Sequence, residues 1–242
     1  MKLLAMSILS LACASAMAAP VNQVSYASLA GTEIVNFDDI AGGGVPGTNY
    51  DSVVVSHGVG LGERFVGQTL SYLGDSDKLS GAPSGALTLM AGAPGQNLNV
   101  FFYNTSNVLT GLGHLGFPDF NAIGEGAFAL TFSSDQSEFG FQLVGGNGGN
   151  AFIDFFRADG SLIDSITVGG LGDAYYGFSR DGGVKDIRGI SIWNTDSGGV
   201  GFDNLKHDVK SVVGNVPEPS TYALMFAGLA AVGVIARRRR PA

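Results

Sequence analysis

The side chains of this chain that could do chemistry are few in kind. There are many carboxylates, three histidines, one cysteine, one tryptophan and a pair of adjacent tyrosines. His57, His114 and His207 lie far apart, and no H-E-x-x-H spacing joins two of them as zinc ligands. No G-x-S-x-G string is present to present a serine nucleophile. Gly58-Val59-Gly60-Leu61-Gly62 has the spacing of part of a dinucleotide loop, but no strand–helix–strand pattern surrounds it, so it reads as turn chemistry. Glycoside hydrolysis needs two converging carboxylates, and spacing along the chain selects no such pair. The expectation is a non-enzymatic domain, with a polysaccharide hydrolase or lyase as the alternative.

Aromatic faces are the other candidate chemistry, because a flat ring with a polar edge can carry a sugar ring. Trp193, Tyr175 and Tyr176 are the candidate ligand-binding residues. In Ile190-Ser191-Ile192-Trp193 the period of two puts the indole opposite the isoleucines. With the isoleucines in the core, Trp193 either faces solvent or packs into a second buried layer.

The elements that must position these residues read as strands. Residues 33–38, 52–56, 86–90 and 98–103 are β-branched, aromatic or alternating, and 61–69 is ambiguous. Residues 41–47 and 111–126 are glycine-rich and read as loops. In the second half, 127–132, 138–144, 150–157, 161–168, 174–179, 184–193 and 199–206 all read as strands. Ala158-Asp159-Gly160 between two of them is a hairpin signal, since Asp-Gly tolerates the positive φ of a tight turn. No segment of residues 20–215 sustains a 3.6-residue period. The pattern predicts an all-β fold of ten to twelve strands in a single jelly-roll-like antiparallel β-sandwich, with residues 208–215 as a short tether after it.

Composition narrows the partners. With Lys2, Glu218 and the four terminal arginines set aside, residues 20–215 hold 20 acidic and 8 basic side chains, a net charge of −12. Nucleic acid is excluded as a partner, because binding it requires basic surface. Thirty-eight glycines without a G-X-Y period exclude collagen.

The two ends carry their own signals. Residues 1–18 have Lys2, an apolar stretch and Ala16-Met17-Ala18, an A-x-A site for a signal peptidase. Cleavage after Ala18 is preferred to cleavage after Ala19, which Pro20 follows directly. Cys13 leaves with that peptide, and Ser10 stands where a lipoprotein signal carries an aliphatic residue. The mature domain then has no disulfide. At the other end Val216-Pro217-Glu218-Pro219-Ser220 precedes an uncharged apolar run and then Arg237-Arg238-Arg239-Arg240. Pro-Glu-Pro cannot lie inside a helix. The run, taken as a helix over 221–236, is short for a bilayer: its last 15 residues make roughly 22 Å. Arginine stems that snorkel and the positive-inside rule complete it as a spanning segment with a cytoplasmic C-terminus.

Residues 216–240 resemble the PEP-CTERM sorting signal of Gram-negative bacteria, also catalogued as the C-terminal domain of some ice-binding proteins. The resemblance implies an exosortase-type transpeptidase as partner, acting at residues 217–219, and an inner-membrane stage in transit. The destination it implies is the cell envelope, surface or exopolysaccharide matrix. The strings Tyr175-Tyr176-Gly177-Phe178-Ser179, Val184–Ile192 and Gly201-Phe202-Asp203-Asn204-Leu205 resemble exported jelly-roll domains that precede this signal and are related to carbohydrate-binding modules. That resemblance implies a structural Ca²⁺ tying the first strand to the last. Asp38 and Asp39 at one end, with Asp203 and Asn204 at the other, are its candidate ligands, since hard cations need several oxygens. The competing reading is a solvated turn at Asp38-Asp39; no contiguous D-x-D-x-D-G loop is present. Ice or surface adhesion is the remaining alternative, but the ten threonines are scattered without a T-x-T array.

Overall fold

The computed structural model describes residues 20–208. The signal-peptide expectation, with Ala16, Ala18 and Ala19, and the whole of 209–242, with its sorting motif, apolar run and arginines, lie outside the described residues.

Among the described residues nineteen strands form: β1 (Val21–Val24), β2 (Glu33–Val35), β3 (Thr48–Tyr50), β4 (Val54–Ser56), β5 (Val59–Gly62), β6 (Arg64–Phe65), β7 (Thr69–Leu73), β8 (Ser76–Ser80), β9 (Leu89–Met90), β10 (Leu98–Tyr103), β11 (Ser106–Leu112), β12 (Ile123–Gly126), β13 (Phe128–Gln136), β14 (Glu138–Asn147), β15 (Asn150–Phe156), β16 (Leu162–Gly169), β17 (Gly172–Arg180), β18 (Ile187–Asn194) and β19 (Gly201–His207). This exceeds the ten to twelve expected, because several strands are only two or three residues long. The all-β expectation holds, and the pairings are antiparallel.

Two sheets share one core. The nine-stranded sheet runs β1-β17-β14-β19-β11-β10-β3, with β12 on β11 and β2 on β19. The six-stranded sheet runs β16-β15-β18-β13-β5-β4. Alternation sends Phe139, Phe141 and Leu143 of β14 inward, and Phe128 and Leu130 of β13 inward to meet them. Rings cross between the sheets: Phe128 to Phe202 at 4.8 Å and Phe155 to Phe178 at 5.6 Å between centroids. With no disulfide expected, this apolar burial is what holds the domain together.

Residues 63–90 add a second, smaller core on the outer face of the six-stranded sheet. Phe65, Ala129 and Phe156 are buried there with Leu87 and Leu89 against them. The β6–β9 and β7–β8 pairs come from this segment, and Gln68 donates to the hydroxyl of Ser191 at 3.0 Å. β13 therefore buries both faces over part of its length, as Ala129 shows.

Three expectations are corrected. Residues 111–126 are not one loop. β11 runs to Leu112 and β12 occupies Ile123–Gly126, where Gly111 faces Gly126 in register so closely that neither has room for a side chain. The strand expected over 86–90 shrinks to Leu89–Met90, because Leu87 and Thr88 bond to Ala158 and Val66 instead of to a ladder. Asp208 does not begin a free tether. It is buried and accepts the N–H of Ser137 at 2.7 Å. The Asp159-Gly160 hairpin forms as expected, with φ of 84° at Gly160 and Ser161 N–H donating to the Asp159 carboxylate at 2.9 Å.

Candidate functional site: a groove across the nine-stranded sheet

The outward-facing residues of five neighbouring strands line a groove that crosses the nine-stranded sheet. Its middle is a polar cavity of about 260 Å³ lined by Tyr103, Asn104, Thr105, Ser106, Val108, Gln142, Val144, Tyr175, Asp203 and Asn204. Tyr103 and Val144 continue into an apolar cavity walled by Phe101, Phe120, Ile123 and Val45. Tyr175 continues the other way into a recess against Ser25, Tyr26 and Ala27. Alternation places each of these: in β17 Tyr175 points out and is 55% exposed, while Tyr176 points in and packs beside Phe141 at 5.5 Å.

A bulge builds the floor. Asn204 has φ of 48°, and the register between β14 and β19 shifts at this point. The extra residue lets two consecutive side chains, Asp203 and Asn204, reach the same cavity. Asn204 donates its amide to Gln142 Oε1 at 2.8 Å, and the Tyr26 hydroxyl donates to the Asn204 carbonyl at 2.8 Å. Tyr26 and Tyr175 meet at 5.0 Å between ring centroids. Burial, with Tyr175 and the Asp203 charge, pushes the Tyr26 phenol up to about 12. Asp203 accepts from the Ser106 hydroxyl at 2.6 Å and from the Asn204 N–H at 2.6 Å. Its carboxyl is nonetheless raised above the ordinary value, by burial first and then by the nearby Asp38.

The sequence-derived candidates divide. Asp203, Asn204 and Tyr175 come together in the groove. Asp38 lies behind it, accepting from Asn107 N–H at 3.1 Å, one residue along from the Ser106 that holds Asp203. Asp39 turns to the β4–β5 hairpin, where Ser56 Oγ donates at 2.5 Å and His57 N–H at 2.8 Å. Despite some burial, those bonds and the His57 ring hold its carboxyl below the ordinary value. Among the described residues no group of three or more His, Cys, Asp or Glu side chains is placed to hold a metal ion. Trp193 lies on the other sheet, half-buried and stacked on Phe152.

Sequence reasoning missed Tyr26, Tyr103 and Gln142. A signal for Tyr103 was present: Asn104-Thr105 joins β10 to β11, and Asn104 adopts φ of 54°, which asparagine tolerates in tight turns. It also missed a buried acidic pair beneath the β7–β8 hairpin. Asp77 accepts Ala127 N–H at 3.3 Å through one oxygen, while the other has no partner. Burial pushes its carboxyl up to about 6. Glu125 accepts the Ser76 hydroxyl at 2.5 Å and is also raised by burial.

Comparison with known families finds its match outside this domain: residues 215–240 match the PEP-CTERM protein-sorting motif. The chain carries a PEP-CTERM sorting signal. That signal implies recognition by an exosortase, with export and membrane-associated sorting of the β domain that precedes it. No curated protein matches the chain.

Proposed function

We propose that this PEP-CTERM protein is a non-enzymatic, jelly-roll-like module of the cell envelope or exopolysaccharide matrix, which holds an extended polysaccharide in the groove of its nine-stranded sheet. The groove carries the reading. Aromatic rings stand at both ends, Tyr26 and Tyr175 at one and Tyr103 and Phe101 at the other, with amide and hydroxyl groups between them. Rings stack on sugar faces, and amides bond sugar hydroxyls. An exported surface, reached after signal-peptide removal and tail processing, is where such a polymer would be met.

The rival reading is a polysaccharide hydrolase or lyase, and the raised carboxyls of Asp77 and Glu125 favour it. Asp77, however, is 1% exposed; Glu125 shares a cavity with Asp75, but no aromatic ring lines it to carry a sugar, and Asp203 is the single carboxylate among the groove-lining residues. Two carboxylates flanking a bound sugar are what the hydrolytic reaction needs.

A glycan array probed with the full-length protein in detergent micelles tests the proposal. Binding to at least one polysaccharide class, abolished by Tyr175→Ala, is expected. Turnover of the bound glycan would replace the proposal with the enzyme reading.

A further inference from the structure

We infer that the groove selects polysaccharides bearing free, protonated amines, such as de-N-acetylated amino-sugar polymers, with Asp203 as the counter-charge. This inference rests on the polysaccharide reading above and narrows it. Every hydrogen-bond donor that Asp203 engages is neutral: the Ser106 hydroxyl, the Asn204 amide and the Asn204 N–H. Among the described residues neither Asp203 nor Asp38 takes part in a salt bridge. The floor of the groove therefore holds negative charge that the protein leaves uncompensated, and each carboxylate raises the free energy of the other.

The walls point the same way. Tyr26, Tyr175 and Tyr103 line the groove, and the face of a tyrosine ring attracts a cation. The Tyr26 ring already has one near it, since Lys206 Nζ lies 5.4 Å from the ring centroid. That ammonium donates to the Leu29 carbonyl at 2.8 Å and does not line the groove, so it leaves Asp203 unpaired. Burial is the main reason the Tyr26 phenol is pushed up to about 12, with the Tyr175 phenol and the Asp203 charge adding to it. An anionic polymer would meet a domain of net charge −12 over residues 20–215.

An extended chain fits better than a compact cation. From β17 to β10 the groove crosses four interstrand steps, about 19 Å at the usual strand spacing. A sugar polymer can place rings against both aromatic ends while its hydroxyls reach Gln142, Asn104 and Thr105. A lysine-rich peptide would satisfy the charge and, through its ammoniums, the ring faces, but it brings no sugar hydroxyls to Gln142, Asn104 and Thr105.

The test is calorimetric titration of the full-length protein in detergent micelles with three probes at mildly acidic pH: a glucosamine hexamer, its N-acetylated form and hexalysine. The glucosamine hexamer is expected to bind at least about tenfold more tightly than the acetylated hexamer, and to weaken with salt. Asp203→Asn should remove that preference. Gln142→Glu is nearly isosteric and still accepts from Asn204, so it should strengthen glucosamine binding, which a damaged fold could not do. Equal binding of both hexamers, lost in Tyr175→Ala, would overturn the amine preference and leave the polysaccharide reading standing. Hexalysine binding as tightly as glucosamine would overturn the preference for a sugar. Binding of none of the three, with a neutral or acidic glycan bound on the array, would again overturn the amine preference alone; silence on both would overturn the polysaccharide reading too.

Discussion

The indole of Trp193 lies flat against the ring of Phe152, with centroids 4.0 Å apart and planes 11° from parallel. The two are cross-strand partners in β18 and β15, on the outer face of the six-stranded sheet. Both are half-buried, so each ring shields one face of the other from water. Trp193→Ala should lower stability by about 2 kcal/mol, below the ~3–5 kcal/mol of a fully buried tryptophan. Urea unfolding followed by far-ultraviolet circular dichroism measures this. Because the stack lies on the opposite sheet, glycan binding in the groove should be unchanged. Loss of binding in this variant would move the site to the other face.

Asp186 holds a buried arginine. It accepts from Arg180 Nε at 2.7 Å and Nη2 at 2.9 Å, and from the more exposed Arg157 at 3.1 Å. The Arg180 side chain is 2% exposed, against 32% for Arg157. Asp186→Ala strands a buried guanidinium and should cost about 3–5 kcal/mol. Arg157→Ala removes only a solvent-facing partner and should cost about 1 kcal/mol or less. Equal midpoints for the two variants in denaturant would show that Arg180 rehydrates when freed.

Burial sets a pH slope at Asp77. Its carboxyl is raised from 3.8 to about 6 in the folded protein. Between those values the folded state keeps a proton that the unfolded state has lost, so stability falls as pH rises through this window. Asp77→Asn removes the ionisation and should flatten that part of the profile. At neutral pH the variant should be the more stable protein, by on the order of 2 kcal/mol. A difference between the two proteins that does not change with pH would show that Asp77 titrates normally.

The second half of the domain was legible because its strands are long and alternate. Phe139, Phe141 and Leu143 announce an inward face, and the Asp159-Gly160 turn fixes the register of the strands it joins. The first half was less so. β6–β9 is a two-residue pair held on the six-stranded sheet through Phe65, and β7 is almost wholly exposed, so the pattern of these strands is weak. Of the groove, Tyr175, Asp203 and Asn204 stood out by type. Their meeting with Tyr26 could not be read, because 178 positions separate Tyr26 from the Asn204 carbonyl it bonds. The bulge at Asn204 was equally silent, since strand alternation assigns Asp203 and Asn204 to opposite faces.

The sorting signal makes the last prediction. Residues 215–240 match the PEP-CTERM motif, and the two prolines in it, Pro217 and Pro219, lack the N–H groups a helix or strand would use. Proline at these positions disfavours a helix through the motif, which is the sequence basis for expecting the processing enzyme to act there. Replacing Pro217-Glu218-Pro219 with three alanines removes the carboxylate and both helix-disfavouring residues of the motif. Expressed in a host with an exosortase, the variant should accumulate at full length in the membrane fraction, while the native chain is processed and leaves it. Immunoblots of both fractions with antibodies to the β domain and to the tail separate these outcomes. Replacing Arg237–Arg240 with alanines tests a different step: it weakens the topology signal, so loss of membrane retention is expected before any processing. Normal release of the alanine variant would show that the enzyme reads the apolar run or the arginines and not the prolines.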